Sequence, residues 1–264
     1  MFSAENKRRL IQGLGLVLCI VGAYLLISYL MSQSRIRTVN EEVSALHESA
    51  AVTTPQPEVT PQPTAIVPEK IFHRSDGEML TVAKELRAIN PDYAGWLRID
   101  GIVDLPVVYK DNSTYLDTDF YGSSSRGGTL FFDVHNPPEA ATQQLIIHGH
   151  NMKDGGMFGI CVHYADKDFA MQHRTATLET LYEKESYSLL LVAYTEIIKT
   201  DEDFVQYCGR STFASEDEFF GYIGELTDCA LLKTDIDLCA DDALLTLSTC
   251  MNDGRLLIVF RKDR

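Results

Sequence analysis

Near its C-terminus the chain contains the stretch ALLTLSTCMNDGRLLIVFRK, which runs from Ala243 to Lys262. Apolar runs flank Asn252-Asp253-Gly254, and these residue types form tight turns between antiparallel strands. The first run ends at Cys250, and the second opens with Arg255. The stretch therefore predicts a β-hairpin with a cysteine and an arginine beside its turn.

Short segments of the same kind begin near Tyr93 and continue up to this hairpin. They are rich in β-branched and aromatic residues, and clusters of Gly, Asn, Asp and Ser separate them. With the two runs of the hairpin they number about eight, and the others are GWLRI, LPVVY, GTLFFDV, QLIIHG, SYSLLLVAYTEI and CALLK. The pattern predicts a mainly β protein, either a closed β-barrel of about eight strands or a related all-β core.

Helices are expected at three places around these strands. Before the first strand, Ser75 is a candidate helix cap and Glu78 stands at the capping-box position. Two insertions follow, one over residues 156–164 with 166–173 and one over residues 215–226. The second lies in a connection of about 30 residues between the YSLLLVAYTEI and CALLK segments, and long connections are often functional. The apolar face of the first helix comprises Met79, Val82, Ala83, Leu86 and Ile89.

An uncharged apolar stretch runs from Leu10 to Met31, long enough to cross a hydrocarbon core of roughly 30 Å as a helix. A cleaved signal peptide is the alternative, but its apolar region spans only about 7 to 15 residues. The cluster Lys7-Arg8-Arg9 precedes the stretch, and positive residues stay on the cytoplasmic side. We therefore expect a cytoplasmic tail over residues 1–9, a single-pass membrane anchor over residues 10–31 and an extracytoplasmic C-terminal domain.

Residues 32–69 carry five prolines and the near-repeat TPQPEVTPQPT. Such a segment buries too little apolar area to fold, so it predicts an extended stalk. A short helix over residues 41–51 is expected to pack on nothing. The folded domain is then expected over residues 70–264.

The formal net charge of the chain is -15. Residues 1–31 contribute about +2 of it, so the remainder carries about -17. Nucleic acid is therefore not an expected partner, because phosphate binding needs clustered Lys and Arg. Neither common Gly-rich phosphate loop occurs in the sequence, which gives nucleotide-dependent chemistry no support.

Cys250 and Arg255 are the first candidates for chemistry. A nearby arginine favours the thiolate form of a cysteine, which is the nucleophile. A buried structural cysteine is the alternative interpretation, and it is favoured when these two residues are taken alone.

A third candidate lies in QLIIHGHNMKDGGMFG, where an apolar strand runs into His148-Gly149-His150. A histidine at a strand end is suited to proton transfer near neutral pH. A metal pair formed by His148 and His150, or a solvated turn histidine, is the alternative, although the sequence contains no third ligand motif. Together, Cys250, His150 and Arg255 suit the roles of nucleophile, general acid/base and oxyanion stabiliser in acyl transfer.

The remaining cysteines have no spacing typical of a metal site. Cys19 lies in the apolar stretch. We expect Cys161, Cys208, Cys229 and Cys239 to be free thiols of the core, with a bridge from Cys208 to Cys229 or Cys239 as the alternative.

The motifs GHNMKDGGMF, TLSTC and the final strand opened by Gly254-Arg255 resemble those of the sortases, the cysteine transpeptidases of Gram-positive cell envelopes. The resemblance extends over residues 79–264. It is strongest to class B, where INPDYAGWLRIDG, LPVVYKDNSTYLDTDFYG and GTLFFD recur in this order. Class B implies a barrel with an N-terminal helix and a helix in the long connection between the sixth and seventh strands.

This resemblance implies that Cys250 attacks the carbonyl of a threonine in a C-terminal sorting signal and forms a thioester. His150 would protonate the leaving amine and later deprotonate an amine of peptidoglycan or its lipid-linked precursor. Arg255 would hold the substrate carbonyl or oxyanion, and no cofactor or metal is implied. The positions that would contact the sorting peptide are Ser248, Leu116, Phe204 and Val205.

One departure from class B concerns the arginine. Arg255 is only five positions after Cys250, a shorter connection than in many relatives. Arg261 is the alternative, but it lies six residues further along the strand, about 20 Å away. We therefore expect Arg255 to be the functional arginine.

Three other functions stay open from the sequence. One is pilin polymerisation with a lysine acceptor, and another is a non-catalytic membrane-anchored binding module of the cell envelope. The third is a metal-dependent hydrolase centred on His148 and His150.

Overall fold

The computed structural model describes residues 4–52, 72–73, 77–138, 142–196 and 207–264. Nine strands form one sheet in the order β5-β1-β2-β3-β4-β8-β9-β6-β7. They are β1 Tyr93–Ile99, β2 Val103–Val108, β3 Leu130–Phe132, β4 Gln144–His148, β5 Thr175–Glu179, β6 Lys184–Glu196, β7 Ala230–Lys233, β8 Leu244–Met251 and β9 Gly254–Lys262.

The sheet closes into a barrel because β5 pairs with both β1 and β6. Eight strands form the ring, which confirms the expected barrel of about eight strands. β6 has 13 residues, and its first half pairs with β5 while its second half pairs with β7. β7 therefore lies beside the ring rather than in it.

The membership of the ring differs from the sequence-based expectation. The CALLK segment was expected to supply one of the eight strands, but it forms β7, which has alternately half-buried and exposed residues. Its place in the ring belongs to β5, the segment TATLE, which was not expected to be a strand. Three of its five residues are polar, two threonines and one glutamate. The apolar alternation typical of a strand is therefore short, although Ala176 and Leu178 are buried.

The paired strands β8 and β9 are buried on both faces. Leu245, Leu247 and Ile258 belong to the large apolar cluster of the barrel. Leu244 and Leu257, one residue out of phase, belong to the cluster that packs under the helix of residues Glu216–Asp228. Neighbouring side chains of a strand point to opposite faces, so this hairpin joins two cores.

The helices in the connections follow the sequence-based expectations closely. Ile160–Ala165 forms a 3-10 helix, α3 spans Lys167–Gln172 and α4 spans Glu216–Asp228. The hydroxyl of Ser215 accepts a hydrogen bond from the backbone N–H of Glu218 at 3.2 Å and so caps α4. A further 3-10 helix, Thr114–Leu116, lies before β3.

The helix before β1 begins later than its expected cap. α2 spans Thr81–Ile89, its N-cap is Leu80, and no side chain caps it. Glu78 lies outside the helix and pairs with Lys84 instead, while Ser75 lies outside the described residues. The predicted capping box is therefore not what starts α2, although its Val82, Ala83 and Leu86 are buried as expected.

The N-terminal helix is much longer than the predicted anchor. α1 spans Ala4–Val52 without a break, and its apolar stretch is long and apolar enough to be a candidate membrane span. Beyond that stretch the helix packs on the barrel: Val43 is fully buried, and the ring of His47 stacks on that of Trp96 with centroids 4.0 Å apart. His47 also pairs with Glu179 at 2.9 Å.

The expectation that residues 41–51 pack on nothing is therefore wrong. An apolar stripe at helical spacing, carried by Ile36, Val39, Val43 and Ala50, faces the domain. The proline-rich residues that follow, 53–71, lie outside the described part of the chain.

All six cysteines are free thiols. No bridge joins Cys208 to Cys229 or Cys239. Cys161 is buried as expected for a core thiol, whereas Cys208 and Cys229 are half-buried and Cys239 is exposed.

Candidate active site

Two parallel neighbours in the barrel, β4 and β8, carry the candidate catalytic histidine and cysteine. In their register His148 is the partner of Ser248. His150 and Cys250 each follow two residues further along. Because side chains alternate along a strand and parallel strands end at the same edge, both residues emerge at one edge of the barrel.

The candidate arginine comes from the next strand. Cys250 and Arg255 are direct partners across the β8–β9 hairpin, and Met251 pairs with Gly254. Only Asn252 and Asp253 form the turn, and Asn252 has a φ of +50°, which asparagine tolerates better than most residues. The short connection therefore sets the arginine opposite the cysteine, where side chains share a face.

Cys250, His150 and Arg255 line one pocket, with a volume of about 300 Å³, together with Leu116. The structure thus brings together four residues that lie up to 139 positions apart in sequence. Cys250 is exposed there, as a nucleophile must be. The other lining residues are Asn112, Phe131, Asp133, His135, His148, Gly149, Tyr207 and Cys208.

The orientation of His150 is fixed through the backbone of Leu116. Nε2 of His150 lies 2.7 Å from the Leu116 carbonyl oxygen. A carbonyl oxygen only accepts, so Nε2 carries the proton and Nδ1 is left for proton exchange. Leu116 therefore contributes a backbone acceptor as well as an exposed side chain on the pocket rim.

The segment between the two histidines is packed too closely for a side chain. A Cβ on Gly149 would lie 2.5 Å from Leu130 and 2.6 Å from Phe158. The carbonyl of Gly149 accepts a hydrogen bond from the Thr249 hydroxyl at 2.9 Å, and Asn151 Nδ2 donates to the carbonyl of Cys250 at 2.9 Å. These bonds tie the histidine loop to the cysteine strand on both sides of the pocket.

Of the other residues expected to contact the peptide, the structure describes Ser248 but not Phe204 and Val205. Ser248 is fully buried, and its hydroxyl lies 3.0 Å from that of Tyr207, which lines the pocket. Its contact with a peptide stays a prediction. Phe204 and Val205 lie outside the described residues, so their placement also stays a prediction.

His148 is part of a polar cluster that sequence reasoning did not identify. Its Nε2 donates to Oδ2 of the buried Asp133 at 2.8 Å. Burial acts to raise the pKa of Asp133, but hydrogen bonds from His148 and His135 outweigh it and hold the pKa well below its ordinary value. His148 and His150 thus engage different partners, and a metal pair formed by these two histidines stays an alternative.

Cys208 lies next to this pair. Burial raises the pKa of its thiol to about 12, and the negative charge of Asp133 acts in the same direction. Cys208 belongs to the long connection between β6 and β7, and no local motif marks it. Only the folded chain brings it to the pocket.

A larger cavity, about 450 Å³, lies between α1 and the loop of residues 154–156. Its lining includes Ile36, Asn40, Ser44 and Asp154 but neither cysteine nor histidine. Size alone would favour it as the site. The candidate catalytic residues Cys250, His150 and Arg255 line the smaller pocket.

Comparisons with known proteins point to one family, although no protein-family model matches the chain. A sortase B of Listeria monocytogenes is 32% identical over 193 residues, covering 69% of this chain and 74% of that protein. A sortase B of Staphylococcus aureus is 25% identical over 169 residues, covering 63% and 66%.

The fold agrees with these relatives. A crystal structure from Bacillus anthracis, described as similar to sortase B, has a TM-score of 0.69 and 30% identity, covering 86% of this chain and 94% of its own. The barrel with its N-terminal helix is thus shared with this structure. The chain belongs to the sortase B family of cysteine transpeptidases, which anchor proteins to the cell wall.

Proposed function

We propose that this chain cleaves a C-terminal sorting signal after a threonine and transfers the released carbonyl to an amine of peptidoglycan or its lipid-linked precursor. The observation that carries the proposal is the convergence of Cys250, His150 and Arg255 on one pocket. The cysteine is exposed, the histidine has a free ring nitrogen, and the arginine faces the cysteine across a hairpin.

In the first half-reaction Nδ1 of His150 takes the thiol proton of Cys250, and Sγ attacks the threonine carbonyl carbon. The carbonyl oxygen becomes an oxyanion beside the guanidinium of Arg255, which stays charged at any working pH. The C–N bond then breaks, and His150 gives its proton to the leaving amine. The product is a thioester on Cys250 and a free downstream peptide.

In the second half-reaction an amine attacks the thioester. His150 accepts a proton from that amine, a new amide bond forms, the C–S bond breaks, and His150 returns the proton to the Cys250 sulfur. The same residues therefore serve both steps, each returning to its starting state. Neither step uses a metal or a cofactor.

We further propose that residues 10–31 cross the membrane once, with residues 1–9 in the cytoplasm and the barrel outside. Shortly after the apolar stretch, α1 contacts the barrel domain through the ion pair of Arg35 with Asp119 and the packing of Ile36 on Gly127. Ile36 lies about 8 Å along the helix beyond Met31 at 1.5 Å per residue. The barrel would then lie close to the membrane surface, rather than at the end of the expected stalk over residues 32–69.

Surface proteins that carry the sorting signal are the proposed substrates. A test is to incubate the full chain, in detergent micelles, with a library of peptides that end in candidate sorting signals and to locate the cleaved bond by mass spectrometry. Cleavage after threonine supports the proposal. Cleavage elsewhere, or the same cleavage by Cys250→Ala, contradicts it.

The acceptor is tested in the same reaction by adding an amine. A peptidoglycan stem peptide and a lysine-bearing pilin-type peptide are supplied at equal concentration. Transfer to the stem peptide is expected. Products joined through the pilin lysine would instead support pilin polymerisation, and binding of the peptides without cleavage would support a non-catalytic module.

A further inference from the structure

We propose that Asp133, His148 and Cys208 form a binding site for Zn²⁺ in the wall of the catalytic pocket. One ligand atom from each residue, a carboxylate oxygen, an imidazole nitrogen and the thiol sulfur, lies within 4.8 Å of the other two. This site does not depend on the transpeptidase chemistry of Cys250, and it would add metal control to the enzyme.

The three residue types match the preferences of zinc. Zn²⁺ takes sulfur at about 2.3 Å, imidazole nitrogen at about 2.0–2.1 Å and carboxylate oxygen at about 2.0–2.2 Å, in tetrahedral geometry. Such bonds separate neighbouring ligand atoms by about 3.3–3.7 Å. The Asp133–His148 contact of 2.8 Å has to open slightly, and the sulfur already lies within 4.8 Å of both atoms. Small side-chain movements are sufficient to reach the zinc geometry.

The carboxylate is already held in place by an outer set of hydrogen bonds. Asn112 Nδ2 donates to Oδ2 of Asp133 at 3.0 Å, and the backbone N–H of His135 donates to Oδ1 at 2.9 Å. Asp133 is only 1% exposed, and His148 packs on the ring of Phe131. Outer partners that orient a ligand are typical of zinc sites.

The site would be an open one. Three protein ligands leave a fourth position for water, or for His135, whose Nδ1 lies 3.0 Å from Asp133 Oδ1. Binding would release the Cys208 thiol proton and move the proton of His148 from Nε2 to Nδ1. All charges then balance without any redox step.

Zinc at this site would act on catalysis through the pocket that it shares with Cys250. Coordination would fix Cys208, which lies in the β6–β7 connection, against Asp133 at the barrel mouth. A peptide would then meet a narrower and more positive pocket. We infer reversible inhibition by Zn²⁺, a consequence that rests on the proposed transpeptidase function.

Binding is tested without reference to activity. The full untagged chain with Cys250→Ala, reduced and in detergent micelles, is titrated with ZnCl₂ against a chromophoric chelator. One Zn²⁺ per chain is expected. Cys208→Ser and Asp133→Asn should each weaken binding by at least the 10- to 100-fold that loss of an outer partner costs. The matched control Cys239→Ser, an exposed thiol outside the pocket, should leave the affinity unchanged.

Substitution with Co²⁺ supplies a spectroscopic test of the thiolate. A sulfur-to-cobalt charge-transfer band is expected in the near ultraviolet, and it should disappear in Cys208→Ser but persist in Cys239→Ser. Near-ultraviolet circular dichroism of each variant checks that the fold survives. Zinc affinity equal in Cys208→Ser and its parent, or a cobalt band that persists without Cys208, would overturn the site.

Inhibition is tested on chains that retain Cys250. Zn²⁺ should slow peptide cleavage by the parent and do so at least about tenfold less effectively with Cys208→Ser. Equal inhibition of both would place the metal on Cys250 itself and overturn the inferred control. A parent chain that cleaves no peptide without Zn²⁺ would instead count against the proposed function, while the binding titration would still decide the site.

Discussion

Cys250 on β8 and Arg255 on β9 face each other as direct partners across a two-residue turn. The short connection therefore brings the arginine towards the cysteine. The alternative, Arg261, pairs with Leu244 at the other end of the hairpin and bonds to Asp263. Of these two arginines, Arg255 lines the pocket and Arg261 does not.

This pairing predicts that the arginine is needed for turnover. Arg255→Lys keeps the charge but loses the planar fork of donors, so we expect kcat to fall by about 10²–10³, as when one oxyanion donor is removed. Peptide cleavage measured by chromatography gives the rate. The matched control, Arg261→Lys, should remain within a few-fold of the parent. Equal losses in the two variants would contradict the assignment.

His150 is expected to carry the proton in both half-reactions. His150→Gln preserves a polar side chain but removes the acid/base, and kcat should fall by about 10²–10⁴. His163→Gln, a change at an exposed histidine of the 3-10 helix, is the control and should leave kcat unchanged. A turnover that survives in His150→Gln would require another proton carrier.

The docked half of α1 is expected to stabilise the barrel. A chain that begins at residue 53 loses the burial of Ile36 and Val43, each of which contributes about 1.5–3 kcal/mol. Its free energy of unfolding should be lower by at least about 3 kcal/mol than that of a chain that begins at residue 32. Urea denaturation followed by tryptophan fluorescence measures the difference. Identical midpoints would show that the helix is a mere tether.

The buried cluster of His73, Glu185 and Lys262 predicts a pH-dependent stability. Burial acts to raise the pKa of Glu185, but His73 at 2.9 Å and Lys262 at 2.8 Å outweigh it and lower the pKa from 4.5 to about 2. A depressed carboxyl pKa stabilises the fold above the unfolded value of 4.5. That stability disappears as the pH falls from 4.5 to about 2.

Glu185→Gln tests this cluster. At pH 7 the variant should be less stable than the parent by about 3 kcal/mol, and the difference should shrink as the pH falls through that window. Denaturation of both chains across the window measures it, with the exposed Glu85→Gln on α2 as the control. A difference independent of pH would rule out the ionised carboxylate as its source.

Much of the fold can be predicted from local pattern. The hairpin of β8 and β9, the cap of α4 at Ser215 and the number of barrel strands all follow from residue types and their spacing. The segment TATLE escaped prediction because the sheet, rather than its own propensity, makes it a strand. The stripe from Ile36 to Ala50 was visible as a helical pattern, but its partner was not.

The site divides in the same way. The sequence identifies Cys250, His150 and Arg255 as candidate site residues, because each stands in a motif at a strand end. No motif identifies Asp133 and Cys208. They come together only when β3, β4 and the β6–β7 connection meet at the barrel mouth. Long-range contacts of this kind leave no periodicity in a single sequence.

The most direct test of the central claim is the mass of the proteolytic peptide that contains Cys250, taken from the enzyme during turnover. The full chain in detergent micelles is mixed with a sorting-signal peptide that it cleaves. The reaction is quenched in acid within a turnover, and the chain is digested. The account predicts an acyl group ending in threonine on the peptide that contains Cys250, removable by hydroxylamine and absent in Cys250→Ala. An acyl group on another cysteine, or cleavage that continues without Cys250, would contradict it.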